Sequence, residues 1–441
     1  MAAAEDAFDC DVLVVGGGPS GSTTAALLQR RGYRVIQLEK DRHPRFHIGE
    51  SLLPCNLPIM EELGVLDKVR ALGVVKHGAD FPSGDGYQTF HFRRALGGSP
   101  PHAFQVKREE FDQMLFEHAR ESGVDAREGV KVGKVDIEGA GKVSAEAHDA
   151  AGNALTLRAR YFVDASGRDT LLGNALKLKR KNDKHQSAAI FAHFRGVEFR
   201  PGEDAGNISI YNFKYGWCWF IPLRDGVMSV GCVCWPEYLK MRRGRNEEFL
   251  LDTLKMMPEA WARMTRADMI SEVRVTGNYS YTCARMAGPG WVMVGDAFAF
   301  VDPVFSSGVY LAMHSGRQAA ALVDAILREP AREAALQAAY TRRIRRGVRV
   351  FSWFIYRFNS PVMRNLFASP RNTWRVEEGV ISMLAGDVFD SAPVMRRLHM
   401  FKLIYAIGGI VSLRRFVSDL IERRRQARFA FSGGNTPVDP A

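Results

Sequence analysis

Gly16-Gly17-Gly18-Pro19-Ser20-Gly21 follows the apolar run Asp11-Val-Leu-Val-Val15 and leads into a helix-forming stretch, Thr23 to Arg31, that stops at Gly32. A buried strand, a glycine turn and a helix in that order form an anion cradle. Gly16 permits the tight turn, Gly18 lets the backbone approach a pyrophosphate, and Gly21 lets helix and strand pack closely. Pro19 and Ser20 open the helix, whose free N–H groups and positive dipole end favour phosphate. A second apolar strand, Tyr33 to Leu38, closes on Glu39 and Lys40. Glu39 is thereby placed to accept hydrogen bonds from a ribose diol. The turn by itself fits NAD and FAD equally.

Other stretches also carry chemistry. Gly295-Asp296 offers a carboxylate to polyol hydroxyls. Asp302-Pro303-Val-Phe305-Ser-Ser307-Gly308-Val309 leads into a helix and presents two consecutive N–H groups, those of Ser307 and Gly308, as an anion site. Trp217 and Trp219, two residues apart on a strand, share one face and can wall a site with rigid aromatic surface. Lys76, in Val74-Val-Lys76-His77-Gly78, reads in isolation as a solvated loop charge. Buried, the same amine would lose its proton more easily and become a nucleophile or a polarising hydrogen-bond donor.

The elements that must position these residues follow from patterning. The 441 residues, 46% hydrophobic and 25% charged, suit a globular protein of two or three units and exclude a disordered or disulfide-scaffold chain. Six cysteines, Cys10, Cys55, Cys218, Cys232, Cys234 and Cys283, lack metal-ligand spacing. Cys232 and Cys234 share a strand face and read as small buried hydrophobes. Phe111 to Ser122 has amphipathic helical spacing. Residues 130–164 and 186–235 alternate as antiparallel strands, Trp291 to Val294 is a short buried strand, and the chain beyond His314 is helical with breaks near Pro361, Pro370 and Pro393. The expected fold class is α/β, α+β overall: a Rossmann-like nucleotide module built from residues 1–78, 103–182 and 277–330. A mostly antiparallel substrate-side sheet comes from 79–102 and 183–276, and 331–441 form a helical region. Net charge is +11, and residues 331–430 hold 19 basic against 7 acidic side chains. The basic stretches around Arg342–Arg349 and Arg423–Arg428 suit an acidic protein partner or an anionic surface; no nucleic-acid motif accompanies them. The acidic N-terminus lacks a signal-peptide pattern, and Leu403 to Leu413 is about half the ~20 residues a bilayer needs. The expectation is a cytoplasmic protein, at most peripheral to a membrane.

Val106-Lys-Arg108 with Phe111-Asp112, Asp164-Ala-Ser-Gly167-Arg168, and Trp291-Val-Met-Val-Gly295-Asp296-Ala297 followed by Asp302-Pro303 resemble the FAD module of the p-hydroxybenzoate hydroxylase-like superfamily. The resemblance covers roughly residues 10–330. Gly49-Glu50-Ser51 with Pro54, Trp217-Cys-Trp219-Phe-Ile221-Pro222, Lys76 and the Asp302–Val309 turn narrow it to the flavin-dependent halogenases. That resemblance implies FAD, supplied reduced by a separate NAD(P)H-dependent flavin reductase, because no second glycine turn is present. The flavin would be held by Gly16, Gly18, Pro19, Ser20, Gly21, Glu39, Lys40, Glu50, Ser51, Arg108, Asp296, Pro303, Gly308 and Val309. Chloride or bromide would sit at Ser307 and Gly308, Trp217 and Trp219 would wall the flavin, and Lys76 would receive hypohalous acid and deliver it to an aromatic ring. Phe305 stands where the free-tryptophan branch carries a glutamate, which points to the branch acting on electron-rich phenols or pyrroles, often tethered to an acyl carrier protein. An aromatic hydroxylase, a geranylgeranyl reductase-like enzyme and a flavin-binding protein without turnover are the alternatives.

Overall fold

The computed structural model describes residues 8–410, apart from 85 and 140 and the side chains of 183–185, 278 and 279. The basic stretch Arg423–Arg428 and the tail 432–441 lie outside the described residues.

The first sheet is built around Cys10–Val15, which pairs in parallel with Val35–Glu39 on one side and with Ala159 to Asp164 on the other. Asp125–Glu128 and Trp291–Met293 extend it in parallel at either side. Helices Pro19–Gln29 and Arg108–Glu121 complete the nucleotide-type unit. Strand Ala154–Asp164 serves two structures. Its first half pairs antiparallel with Lys142–His148, and its second half joins the parallel sheet. The sequence pattern changes at the same point: alternation up to Ala159 gives way to Tyr161-Phe-Val-Asp164, buried on both faces as a central parallel strand must be. The antiparallel reading of residues 130–164 therefore holds for the hairpin and not for these last residues.

The second sheet has nine strands, running Ala299–Phe300, Arg274–Cys283, Lys179–Arg195, Met228–Cys234, Gly216–Pro222, Ile208–Phe213, Gly78–Ser83 and Gly86–His91, with Asp268–Met269 beside Lys179–Arg195. Only Ile208–Phe213 and Gly78–Ser83 run parallel to each other. Gly216–Pro222 and Met228–Cys234 are buried along their whole length because each face packs against protein. One face carries Trp217 and Trp219 towards the first sheet, and the other carries Cys218, Phe220 and Cys232 into a separate core beneath helix Asn246–Lys255. Cys232 and Cys234 are both buried on that second face, as their spacing predicts. Cys232, however, is bonded to Cys218, the residue opposite it on the neighbouring strand. That pairing depends on strand register, which the Cys-Val-Cys spacing does not contain.

Helices Ser307–Arg328 and Glu333–Ile355 pack against each other, and Pro361–Ala368, Val376–Ala385 and helical residues 392–410 follow. No helix among the described residues is long and apolar enough to cross a membrane.

Candidate active site

The glycine turn is shaped as its spacing requires. Gly16 has φ 118°, and a Cβ there would lie 2.1 Å from the Ala165 carbonyl oxygen. A Cβ on Gly21 would lie 2.0 Å from the Gly16 oxygen, whereas one on Gly18 would meet nothing closer than Arg45 at 3.7 Å. Gly16 and Gly21 thus close the turn, and Gly18 leaves its outer side open. Glu39 closes the turn from below: its Oε2 accepts the Gly17 N–H at 2.6 Å and its Oε1 accepts from the Asp41 N–H at 3.0 Å.

These residues form one end of a cavity of about 1040 Å³ between the two sheets. At the far end stand Trp217 and Trp219, their ring centroids 5.8 Å apart, with Pro303, Gly308 and Val309 at the start of the long helix. Ser306, in the left-handed conformation at φ 55°, turns the chain into that helix. The first N–H groups of a helix have no intrahelical acceptor and face outward. A Cβ on Gly308 would meet no atom within 4 Å, so this turn opens onto the cavity. Ser307 does not line it; its hydroxyl is buried without a hydrogen-bond partner.

Charged groups line the remaining wall. Lys40 pairs with Asp169 at 2.6 Å. Arg108 is bound in two-pronged fashion to Asp112, at 2.8 Å through both Nε and Nη2, and also donates to the Ile48 carbonyl. Burial works to raise the Asp112 carboxyl, but Arg108, His47 and Arg45 together outweigh it and the net shift is downward. Glu50 holds His193 at 2.8 Å through Oε1, while its Oε2 is buried and unpartnered at the cavity wall. Burial raises the Asp296 carboxyl to about 6 against the opposing pull of Arg168 and Arg108. Asp302 rises to about 7 for the same reason, despite hydrogen bonds from the Val304 N–H and Trp217.

Lys76 lies outside this cavity and next to it. Only 1% exposed, it donates from Nζ to the Ser51 hydroxyl at 2.9 Å and to the Leu52 carbonyl at 3.1 Å, with Nζ 5.3 Å from the Phe92 ring centroid. It faces a second, much smaller cavity lined by Leu53, Ala79, Phe81, Phe92, Ile208, Ile210, Val304, Phe305, Ser306 and Leu384. Ile208 and Ser306 line both cavities, and Ser51 lines the large one while accepting the amine's hydrogen bond. Burial pushes the amine down to about 7, partly offset by the attraction of Asp80. The titration has a consequence for stability. Between pH 7 and about 10.5 the unfolded chain holds the proton that the folded chain has released, so stability rises with pH across that window. Lys76→Met should therefore raise the melting temperature by several degrees at pH 6, an advantage that shrinks towards pH 10. A difference independent of pH would show that the amine is not held in this dry setting.

The structure thus brings Gly16, Gly18, Pro19, Ser20, Glu39, Lys40, Glu50, Ser51, Arg108, Asp296, Pro303, Gly308, Val309, Trp217 and Trp219 around one cavity. Gly21 is packed behind it, and Ser307 and Lys76 lie beyond its wall. Sequence patterning missed Arg45, which bridges Glu39 and Asp112 at 3.2 and 3.3 Å, and the dividing residues Ile208 and Ser306. An arginine in a loop and an isoleucine in a strand carry no local signal for such roles. Phe358 and Phe367 are buried core residues and stand directly behind Phe81 and Phe305.

The geometry has relatives. Residues 9–353 match the FAD binding domain family. The chain is 38% identical over 322 residues to the tryptophan 2-halogenase of Chondromyces crocatus, covering 72% of this chain and 61% of that protein. It therefore spans less than two thirds of that relative's length. It is 30% identical over 428 residues to a 1H-pyrrole-2-carbonyl-(peptidyl-carrier protein) chlorinase of Pseudomonas fluorescens, covering 90% and 94%. Among solved structures, a flavoprotein/dehydrogenase from Cytophaga hutchinsonii superposes with a TM-score of 0.83 at 28% identity, covering 91% of this chain and 99% of that one. The myxobacterial chondrochloren halogenase superposes with a TM-score of 0.76 at 31% identity, covering 90% and 97%.

Proposed function

Since this chain belongs to the flavin-dependent halogenases of the FAD binding domain family, we propose that it halogenates an electron-rich aromatic ring, a phenol or pyrrole, by way of Lys76. The observation that carries this reading is a buried, easily deprotonated lysine one wall away from a cavity built for a dinucleotide. The cavity suits FAD on its own features: an open glycine turn, a glutamate at the end of the second strand, an unpartnered Glu50 oxygen and the two tryptophans Trp217 and Trp219. In that site the Gly16–Gly21 turn and the helix beginning at Pro19 would hold the pyrophosphate, Glu39 the ribose, Asp296 the ribityl hydroxyls, and Trp217 and Trp219 the ring system. When bound and reduced by a separate NAD(P)H-dependent flavin reductase, FAD supplies the oxygen activation that converts chloride or bromide to hypohalous acid.

The chain's own residues do the rest. The Ser307 and Gly308 N–H groups hold the halide against the cavity. Trp217 and Trp219 keep water away. Ser51 and the Leu52 carbonyl fix the Lys76 amine, which either takes the halogen onto nitrogen, as the oxygen–halogen bond breaks and the departing hydroxide leaves with an amine proton as water, or donates a hydrogen bond to the hypohalous acid. The Lys76 cavity offers Phe81, Phe92 and Phe305 and no carboxylate, so the ring that reacts must already be electron-rich. Arg342, Arg346 and Arg349, exposed along one side of helix Glu333–Ile355, suit an acidic carrier protein bringing a tethered substrate.

The test is mass spectrometry of phenol and pyrrole probes, free and carrier-tethered, incubated with protein, FAD, flavin reductase, NADH, oxygen and one halide. A product bearing the halogen isotope pattern, and changing mass when chloride is exchanged for bromide, is expected. A product that gains one oxygen whatever the halide would make the enzyme a hydroxylase.

A further inference from the structure

The cavity beside Lys76 has room for about one water, about 10 Å³, whereas an apolar cavity that admits benzene needs ~150 Å³. No aromatic ring reaches the amine in this arrangement of side chains. The occupied space belongs to rings. Behind the lining residues Phe81 and Phe305 stands Phe367, with ring centroids 5.1 and 6.1 Å away, and it also meets Phe90 at 5.3 Å and Phe358 at 5.9 Å. Phe367 is the ring shared by all these pairs, and it sits on the short helix Pro361–Ala368.

That helix is separate from its surroundings at both ends. Ser360-Pro361 begins it and Pro370 follows it, so it continues neither neighbour. Its polar ties to the second sheet are Ser83 Oγ to the Ala368 carbonyl and Arg364 to the Phe213 carbonyl. The chain then passes through Trp374 and Arg375, two successive non-glycine residues in the left-handed region at φ 56° and 60°. Trp374 is 68% exposed, so packing does not hold it there. Arg375 is held in this conformation by donating from Nε and Nη2 to the Glu378 carboxylate, so the strained pair forms a fixed pivot at which the segment before it can change direction.

We propose that Phe367 holds the substrate's place closed from behind, and that the ring to be halogenated reaches Lys76 when the 361–375 segment turns outward and Phe81 and Phe305 fall back into the room Phe367 leaves. The size and shape of residue 367 then decide which rings are accepted, because they set how far Phe81 and Phe305 can withdraw from the amine. This rests on Lys76 being the halogenating centre, but it is tested without turnover.

The probe is phenyl isothiocyanate, a neutral phenyl ring that adds to an unprotonated amine, applied at pH 8 with the Lys76 peptide followed by mass spectrometry. Lys76 in the unaltered protein should label at least 10-fold more slowly than in Phe367→Ala. Phe401→Ala, which removes a buried ring packed on Trp353 and Phe354 and not on the Phe367 cluster, should label as the unaltered protein does. Phe367→Leu, which keeps apolar bulk, serves if the alanine variant does not fold and should fall between. Equal labelling in all proteins, or acceleration by Phe401→Ala as large as by Phe367→Ala, overturns the proposal. In the halogenation assay Phe367→Ala should raise kcat/KM for free phenol about 10-fold. Faster labelling with no halogenated product from any variant would leave Phe367 as the gate and sink the halogenase reading. Halogenated product with unchanged labelling would do the reverse.

Discussion

Lys76→Met should go on oxidising reduced FAD while its halogenated product falls by about 100- to 10,000-fold, the range expected when a positioned proton-transfer or nucleophilic group is lost. The comparison that matters is product formed per flavin oxidised, because the substitution lies outside the large cavity and should leave flavin binding alone. Methionine fills the space of the lysine stem and removes the buried amine, so loss of fold is not the expected cause. Lys76→Arg separates the two chemistries open to the amine. An arginine keeps its proton at any working pH, so it can polarise hypohalous acid but not carry halogen on a neutral nitrogen. Product from the arginine variant would assign the polarising role; none from either variant would favour the nitrogen-bound halogen. Yield near the unaltered level in Lys76→Met would remove Lys76 from the mechanism.

Gly308→Val carries the second large effect. Because a Cβ at this position would meet no protein atom within 4 Å, the folded chain should keep its melting temperature to within about a degree. The valine methyl groups would instead stand in front of the helix N–H groups, in the space proposed for halide. Apparent KM for bromide should rise at least 10-fold, read from product yield against bromide concentration, while quenching of FAD fluorescence separates any loss of flavin affinity. Unchanged dependence on bromide would place the halide elsewhere.

Much of this site is legible in the sequence because it is local. A glycine turn, a strand-end acid and a helix start are each encoded within a few residues, so Gly16, Gly18, Gly21, Glu39 and Gly308 can be placed before any coordinates. What escaped depends on contacts between distant segments. Arg108 is a loop arginine in sequence, yet in the fold both prongs of its guanidinium are taken by Asp112, so it shapes the wall through that pair. Arg45 joins Glu39 to Asp112 across the turn. The Cys218–Cys232 bond needs the register of two strands. Ala154–Asp164 changes partners halfway along, which only its loss of alternation announces. Lys76 is the sharpest case: its neighbours Ser51, Leu52 and Phe92 come from two other places in the chain, and nothing within Val74–Gly78 says that the amine is dry.

The wall formed by Ile208 and Ser306 can be viewed as a sieve. A species of two heavy atoms, one oxygen and one halogen, is small enough to slip past side chains that an aromatic ring cannot pass. On the proposed reading such a partition would sort traffic by size: oxidant would move one way, and substrate would not travel back to the cofactor. It also gives the enzyme a yield as well as a rate. Each oxidant molecule that crossed to Lys76 would be counted as product, and each one that escaped through the open mouth of the large cavity would be lost to solvent. Two side chains would thereby decide how much reducing power ended in a carbon–halogen bond.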